Sequence, residues 1–177
     1  EILGHAFQTN SDTEVLLCAY LEWGASVLNK LNGMFAFAVW HPEKRMLFVA
    51  RDRFGMKPFY YACNDNRFAF SSEPKALLAL FPDLRQPDDI GIYNFLTEGT
   101  LYTEGRSFYK NIQVLAAGHY AEYYEETRQF KITRYWDYPS ALEPSNLNQS
   151  DAVDEFSSLL EDAVRLRTRS DVPVGFT

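Results

Sequence analysis

Residues 31–61 read LNGMFAFAVWHPEKRMLFVARDRFGMKPFYY, and the fold follows from this stretch. Two apolar runs, Met34–Trp40 and Met46–Val49, flank the polar break His41-Pro42-Glu43-Lys44, the pattern of a β-hairpin. In the first run Met34, Ala36, Ala38 and Trp40 alternate with Phe35, Phe37 and Val39. Both sets are apolar, so both faces of the strand are expected to be covered; a sheet wet on one side shows polar alternation. The second strand empties into Arg51-Asp52-Arg53-Phe54-Gly55-Met56-Lys57-Pro58, rich in charge and carrying Gly and Pro. A charged, conformationally special loop on a buried hairpin suits the rim of a site.

Outside this stretch, 177 residues suffice for one ordinary domain with part of another. Hydrophobic content of 46% describes a packed chain rather than a disordered one. Seventeen Lys and Arg against 24 Asp and Glu give −7, with no basic block, which argues against a nucleic-acid surface. No apolar run approaches the ~20 residues of a membrane-spanning helix, and no membrane partner is expected. The opening EILGHAFQTNSD lacks a signal-peptide pattern and an initiating methionine, so the chain is read as beginning inside a longer protein. Cys18 and Cys63 show no CxxC spacing and no nearby histidine. They are read as structural residues of a reduced intracellular protein, and no metal site is nominated.

Ser11-Asp12-Thr13-Glu14 fits a capping box, in which the Ser hydroxyl and the Glu carboxylate reach reciprocal amides. It opens a helix that stops at Gly24. Ala25–Leu31 reads as a second short helix. Phe59–Ala62 and Arg67–Ser71 form a strand pair, Glu73–Leu80 and Asp88–Thr97 are helical, and His119–Glu125 with Gln129–Tyr135 make a late hairpin. The stretch 99–111 is irregular. A composition break at residues 139–149, PSALEPSNLNQ, marks a linker between a first domain, residues 1–138, and a second beginning at 150. Ser150–Arg169 is an amphipathic helix led by acids and closed by Arg165, Arg167 and Arg169, followed by an extended, buried-looking segment from Asp171 to Thr177.

The isolated histidines His5, His41 and His119 offer no triad and are assigned to surface or turns. Asp12 has two readings: a carboxylate stabilised by the helix dipole, or one held at a helix start to receive a cationic group such as an ammonium. For Arg51, Asp52, Arg53 and Lys57 the structural reading is a salt-bridged rim that fixes the loop.

Six motifs add to this. GHAFQTNSDTEVLL, LNGMFAFAVW, ARDRFGMKPFYY, FSSEPKALL, the late YW and SDVPVG occur in an order that resembles glutamine-dependent asparagine synthetases across essentially the whole chain. RDRFGMKP alone would indicate only class II amidotransferases; SDVPVG separates the synthetase branch.

The resemblance implies an α+β fold. Its first domain would be a four-layer αββα sandwich of the N-terminal-nucleophile glutaminase type, followed by the opening of an α/β nucleotide-binding synthetase domain. It implies that an N-terminal cysteine hydrolyses glutamine and that ammonia passes through a tunnel to an aspartyl-AMP made from aspartate and Mg-ATP. Asp12 would bind the α-ammonium of glutamine. Met34 matches a position near the tunnel, with plain core packing as its alternative. Arg51 and Asp52 belong to a signature loop, mainly structural, that borders the domain interface. The nucleophilic cysteine, the arginine segment that grips the glutamine carboxylate and the NGE stretch would precede Glu1; the pyrophosphate loop for ATP and Mg2+ would follow Thr177. Neither Cys18 nor Cys63 offers the free α-amine the nucleophile needs. The chain as written is therefore expected to have neither activity and its parent both, as a cytoplasmic, homodimeric ligase. Two alternatives stay open: a non-catalytic glutaminase-like module, and an amidotransferase acting on another carboxylate.

Overall fold

In a computed structural model, residues 6–64, 67–101, 105–140, 147–170 and 172–175 are described. The chain divides into two compact units, Glu1–Asp137 and Tyr138–Thr177.

The first unit is mixed α+β. Helix α1 spans Asp12–Trp23, capped by the Ser11 hydroxyl, which accepts from the Thr13 amide, and closed by Gly24 at φ 54. The capping box differs from expectation at its acidic end. Glu14 reaches past Ser11 to accept from the Gln8 and Thr9 amides at 2.8 and 2.7 Å, because the chain before the helix folds back over its first turn. The second short helix is a 3-10 segment, Gly24–Asn29, with Val27 and Leu28 fully buried.

Strands β1, Ala36–His41, and β2, Met46–Arg51, form the expected antiparallel hairpin, with Arg45 at φ 44 in the turn. Strand β3 is Tyr60–Asn64, β4 is Arg67–Ser71, β5 is Gln113–Val114, β6 is His119–Tyr124 and β7 is Phe130–Arg134. They make two antiparallel sheets, ordered β1-β2-β6-β7 and β4-β3-β5. Helices α2, Pro74–Leu80, and α3, Asp89–Glu98, lie between β4 and β5 in the chain. The two-residue β5 falls just past the irregular stretch and has no period long enough to announce it.

Strand parity sorts the core. On β2, Met46, Phe48 and Ala50 turn toward Tyr20, Val27 and Leu28 of the α1 side. Leu47 and Val49 turn the other way, into a cluster with Tyr61 and Phe59, and Phe68 of β4 stacks on Tyr123 of β6 at 4.6 Å between centroids. The remaining face of the second sheet, Tyr60, Ala62 and Val114, packs on Leu77 and Leu78 of α2. Both faces of β1 are packed, as expected, with Phe37 and Val39 against the α1-side cluster and Ala36 and Ala38 against the cluster on the other side, but less completely than those of β2. β1 is half-buried, with Trp40 46% exposed, whereas β2 is buried almost throughout. The reason is position: β2 has a neighbour on each side, and β1 has one among the described residues.

In the second unit α4 spans Gln149–Arg167, and the Asn148 side chain accepts from the Asp151 amide at its start. Arg165 and Arg167 occupy its last turn, as the helix dipole favours. Its apolar positions, Phe156 and Leu159 among them, are exposed. The extended segment after it is not a buried strand over its described part: residues 172–175 are exposed and unpaired, since no strand edge within the unit's described residues receives them. Asp171, Phe176 and Thr177, like His5, lie outside the described residues.

Candidate functional site

The Arg51–Pro58 loop is built around two buried charges. Asp52, 1% exposed, accepts from four backbone amides: Phe54 and Met56 at Oδ1, 3.1 and 3.0 Å, and Phe35 and Lys57 at Oδ2, 3.2 and 3.0 Å. Arg51, 4% exposed, donates to the carbonyls of Lys57, Leu115 and Gly55 at 2.7, 2.7 and 2.6 Å. Gly55 adopts φ 64 and lies so close to the Arg51 guanidinium that a Cβ there would sit 3.0 Å from its carbon. Arg53 donates to Leu31 O at 2.6 Å and reaches Asn29 O at 3.3 Å, capping the end of the 3-10 helix.

The salt-bridged rim is therefore replaced by side-chain-to-backbone bonding. Asp52, Arg53 and Lys57 make no ion pair among the described residues, because the Asp52 oxygens turn into their own loop. The late Tyr135-Trp136 pair clamps the same loop. The Tyr135 hydroxyl donates to Arg51 O at 2.9 Å, and the Trp136 ring meets Phe54 edge-on at 5.2 Å. Burial pushes the Tyr135 hydroxyl up to about 12, so it remains a donor at neutral pH. Two motifs read separately in the sequence are thus one unit.

This unit fastens both ends of Leu31–Phe35, the floor of a cavity of about 670 Å3. Asp12, Leu16 and Ala19 of α1, Met34 to Phe37 at the foot of β1, Lys57, Pro58 and Ser72 line it. The size lies within the roughly 300–1,000 Å3 of small-molecule sites. The walls are mostly hydrocarbon. Asp12 stands exposed in the first turn of α1; its one side-chain contact among the described residues is from the Thr13 hydroxyl at 3.4 Å. Glu14, next on the same turn, is held below its usual range chiefly by the Gln8 amide and then by Thr9, so its charge is already engaged.

The sequence candidates separate into two groups. Asp12 and Met34 line one cavity together. Arg51 lines a second cavity, of about 600 Å3, with Tyr61, His119 and Ile132, and Asp52 lines neither. Neither cysteine lines either cavity; Cys18 is half-buried and Cys63 exposed. His41 is half-buried rather than a surface residue, because its Nε2 shares a hydrogen bond of 2.9 Å with the Tyr20 hydroxyl under α1. His119, also half-buried, bonds Ala117 O through Nδ1 at 2.8 Å. Lys57, expected only as a rim charge, is among the residues lining the Asp12 cavity, and its place between Gly55 and Pro58 is the sequence signal of a fixed backbone. Among the described residues no group of three or more His, Cys, Asp or Glu could hold a metal, and no helix is long and apolar enough to cross a membrane.

Known proteins extend this picture. Residues 1–136 match the family described as glutamine amidotransferase domain. The chain is 40% identical over 172 residues to asparagine synthetase [glutamine-hydrolyzing] 3 of Bacillus subtilis, a match covering 97% of this chain and 27% of that protein. It is 35% identical to a putative asparagine synthetase of Methanocaldococcus jannaschii, covering 95% of this chain and 32% of that one. It is 31% identical to a Penicillium rubens protein named amidase chyE, over 96% of this chain and 25% of that one. The chain thus spans about a quarter to a third of the length of these relatives. With more than two thirds of its residues inside the matched pattern, the chain belongs to the glutamine amidotransferase domain family.

Proposed function

We propose that this chain forms the glutamine-binding part of a glutamine-dependent asparagine synthetase, with Asp12 holding the α-ammonium of glutamine. The observation that carries this reading is a carboxylate, unengaged by any cation among the described residues, on the wall of an otherwise largely apolar cavity. Such a carboxylate attracts an ammonium more strongly than it would in open water, since hydrocarbon walls lower the local dielectric. The same walls suit the product. Ammonia is nucleophilic only while unprotonated, and Met34 and Phe37 offer it a surface that water wets poorly.

Glutamine plus water gives glutamate plus ammonia, and in the parent protein the ammonia would convert aspartate to asparagine at the expense of ATP. ATP and Mg2+ belong, in this reading, to a synthetase domain that opens at residue 150 after a linker over 139–149. The layer order α1, first sheet, second sheet, α2 supports a four-layer αββα arrangement of the N-terminal-nucleophile type for residues 1–138. A cytoplasmic, homodimeric parent completes the proposal. The likeness to a relative named amidase favours one second reading, in which the same cavity feeds an amide transfer to a different carboxylate.

Titration of the chain with L-glutamine tests the cavity. Asp12→Asn is expected to weaken binding at least about tenfold, the cost of a charge-assisted hydrogen bond. N-acetylglutamine, which has no ammonium, should bind the unsubstituted chain as weakly. Equal affinity of both chains for glutamine would refute the assignment.

A further inference from the structure

Residues Leu31 to Phe35 all line the same cavity as Asp12, and they belong to no helix or strand. Asn32, Gly33 and Met34 are exposed and make no hydrogen bond among the described residues. A Cβ on Gly33 would meet nothing within 4 Å. Hydrogen bonds therefore hold this span only at its ends. At Phe35 the amide donates to Asp52 Oδ2 at 3.2 Å and the carbonyl accepts from the Asp52 amide at 2.9 Å, and β1 starts with the next residue. At Leu31 the amide donates to Val27 O at 3.2 Å, and the carbonyl accepts from Arg53 Nη1 at 2.6 Å. Arg53 Nη2 lies 3.3 Å from Asn29 O and 3.4 Å from Leu28 O, so the same half-buried guanidinium also holds the end of the 3-10 segment. Two consecutive loop residues thus secure the cavity floor, Asp52 at one end and Arg53 at the other.

We infer that Arg53 is a positioning residue of the glutamine site: through Leu31 it fixes the span that carries Met34, and so sets the affinity of a cavity it does not itself line. This rests on the glutamine reading above. Charge-assisted bonds from a guanidinium are stronger than neutral ones, and its planar fork reaches several acceptors at once. With the fork removed, Leu31 O loses its partner, and three residues without bonds of their own are left secured chiefly at Phe35. A ligand must then order the floor as it binds, and affinity falls by that cost. Asp12 stands on α1, whose start is capped independently by Ser11, so the carboxylate stays in place and the loss comes from the floor alone.

Arg53→Leu and Arg53→Lys in the 177-residue chain test this, each with two readouts. Calorimetric titration with L-glutamine is expected to show affinity lowered roughly three- to tenfold in Arg53→Leu. Arg53→Lys should recover most of it, since an ammonium can still donate to Leu31 O. Carbon-13 methyl spectra of the methionine-labelled chain report on the floor without ligand. Arg53→Leu should shift or broaden the Met34 signal and leave that of Met46, buried at the start of β2, where it was. An unchanged glutamine affinity or an unchanged Met34 signal overturns the inference and leaves the glutamine site standing. So does a change that Met46 shares, or an affinity loss that vanishes well below the melting midpoints, because either marks a fold-wide effect. Arg53→Lys no better than Arg53→Leu overturns it as well. Arg53→Gln, a donor too short to reach three carbonyls, replaces Arg53→Leu if that chain does not fold, with the same expectation. Failure of the unsubstituted chain to bind glutamine overturns the glutamine reading, and this inference with it.

Discussion

Asp12 and Asp52 are the same side chain put to opposite uses. Asp52 is 1% exposed and its two oxygens take four backbone amides, so none of its charge is left for a ligand. Asp12 is exposed, touches one hydroxyl at 3.4 Å, and faces a cavity. A carboxylate surrounded by its own chain's amides is architecture; one left open on an apolar wall is an instrument. The two are coupled, since Asp52 fixes the floor of the cavity that Asp12 overlooks.

The strongest way to break this comparison is to remove Asp52. Asp52→Ala leaves four amides without their acceptor and Arg51 beside an altered loop. The expected cost is roughly 3–5 kcal/mol, the range for removing one partner from a buried, charge-assisted network. Urea unfolding monitored by tryptophan fluorescence measures it. A loss below about 1 kcal/mol would mean that solvent or other groups replace the bonds, and that Asp52 is less architectural than its burial indicates.

Much of the architecture was legible because it is local. Alternation in residues 34–49 announced the hairpin, Ser11 and Gly24 bounded α1, and β3 pairs with β4 as their composition predicts. The site was legible only in part. Asp12 could be singled out at its helix start, but its pairing with Met34 and Lys57 in one cavity depends on three elements meeting in space. The bonds that hold the loop are non-local: Arg51 reaches Leu115, and Tyr135 reaches back to Arg51. No period or spacing records such contacts. The edge position of β1 was hidden for the same reason, because apolar alternation reports which faces are dry and is silent about how many neighbours a strand has.

Asp88 sharpens the contrast, being buried like Asp52 and sited at a helix start like Asp12. Its Oδ1 accepts from the Gly91 amide at 2.8 Å and its Oδ2 from Arg106 at 3.0 Å. The Gly91 bond, followed by Arg106, holds the carboxyl below its ordinary 3.8, against the opposing effect of burial. With the folded value depressed, the unfolded chain binds the proton more readily. The stability contributed is thus fully present above the unfolded value, near pH 4, and is lost as pH falls through the folded one. Unfolding midpoints measured from pH 5 downward should fall more steeply in the parent chain than in Asp88→Asn. At pH 7 that variant is expected to be less stable by roughly 0.5–2 kcal/mol, as for other lost helix caps. Identical slopes would show that acid sensitivity arises elsewhere, Glu14 and Asp83 being the other carboxylates held low among the described residues.

The smallest stability effect is expected at Asp12, and it carries the most information about function. Asp12→Asn removes a favourable charge from the first turn of α1, worth about 0.3–1 kcal/mol at an exposed position, while Ser11 continues to cap the helix. The same change should cost at least about tenfold in glutamine affinity. A variant that barely alters folding yet loses its ligand is the opposite of Asp52→Ala, which should lose both. If Asp12→Asn instead destabilises by 2 kcal/mol or more and its binding loss follows its unfolding, Asp12 joins Asp52 as architecture, and the ammonium site must be sought elsewhere on the cavity wall.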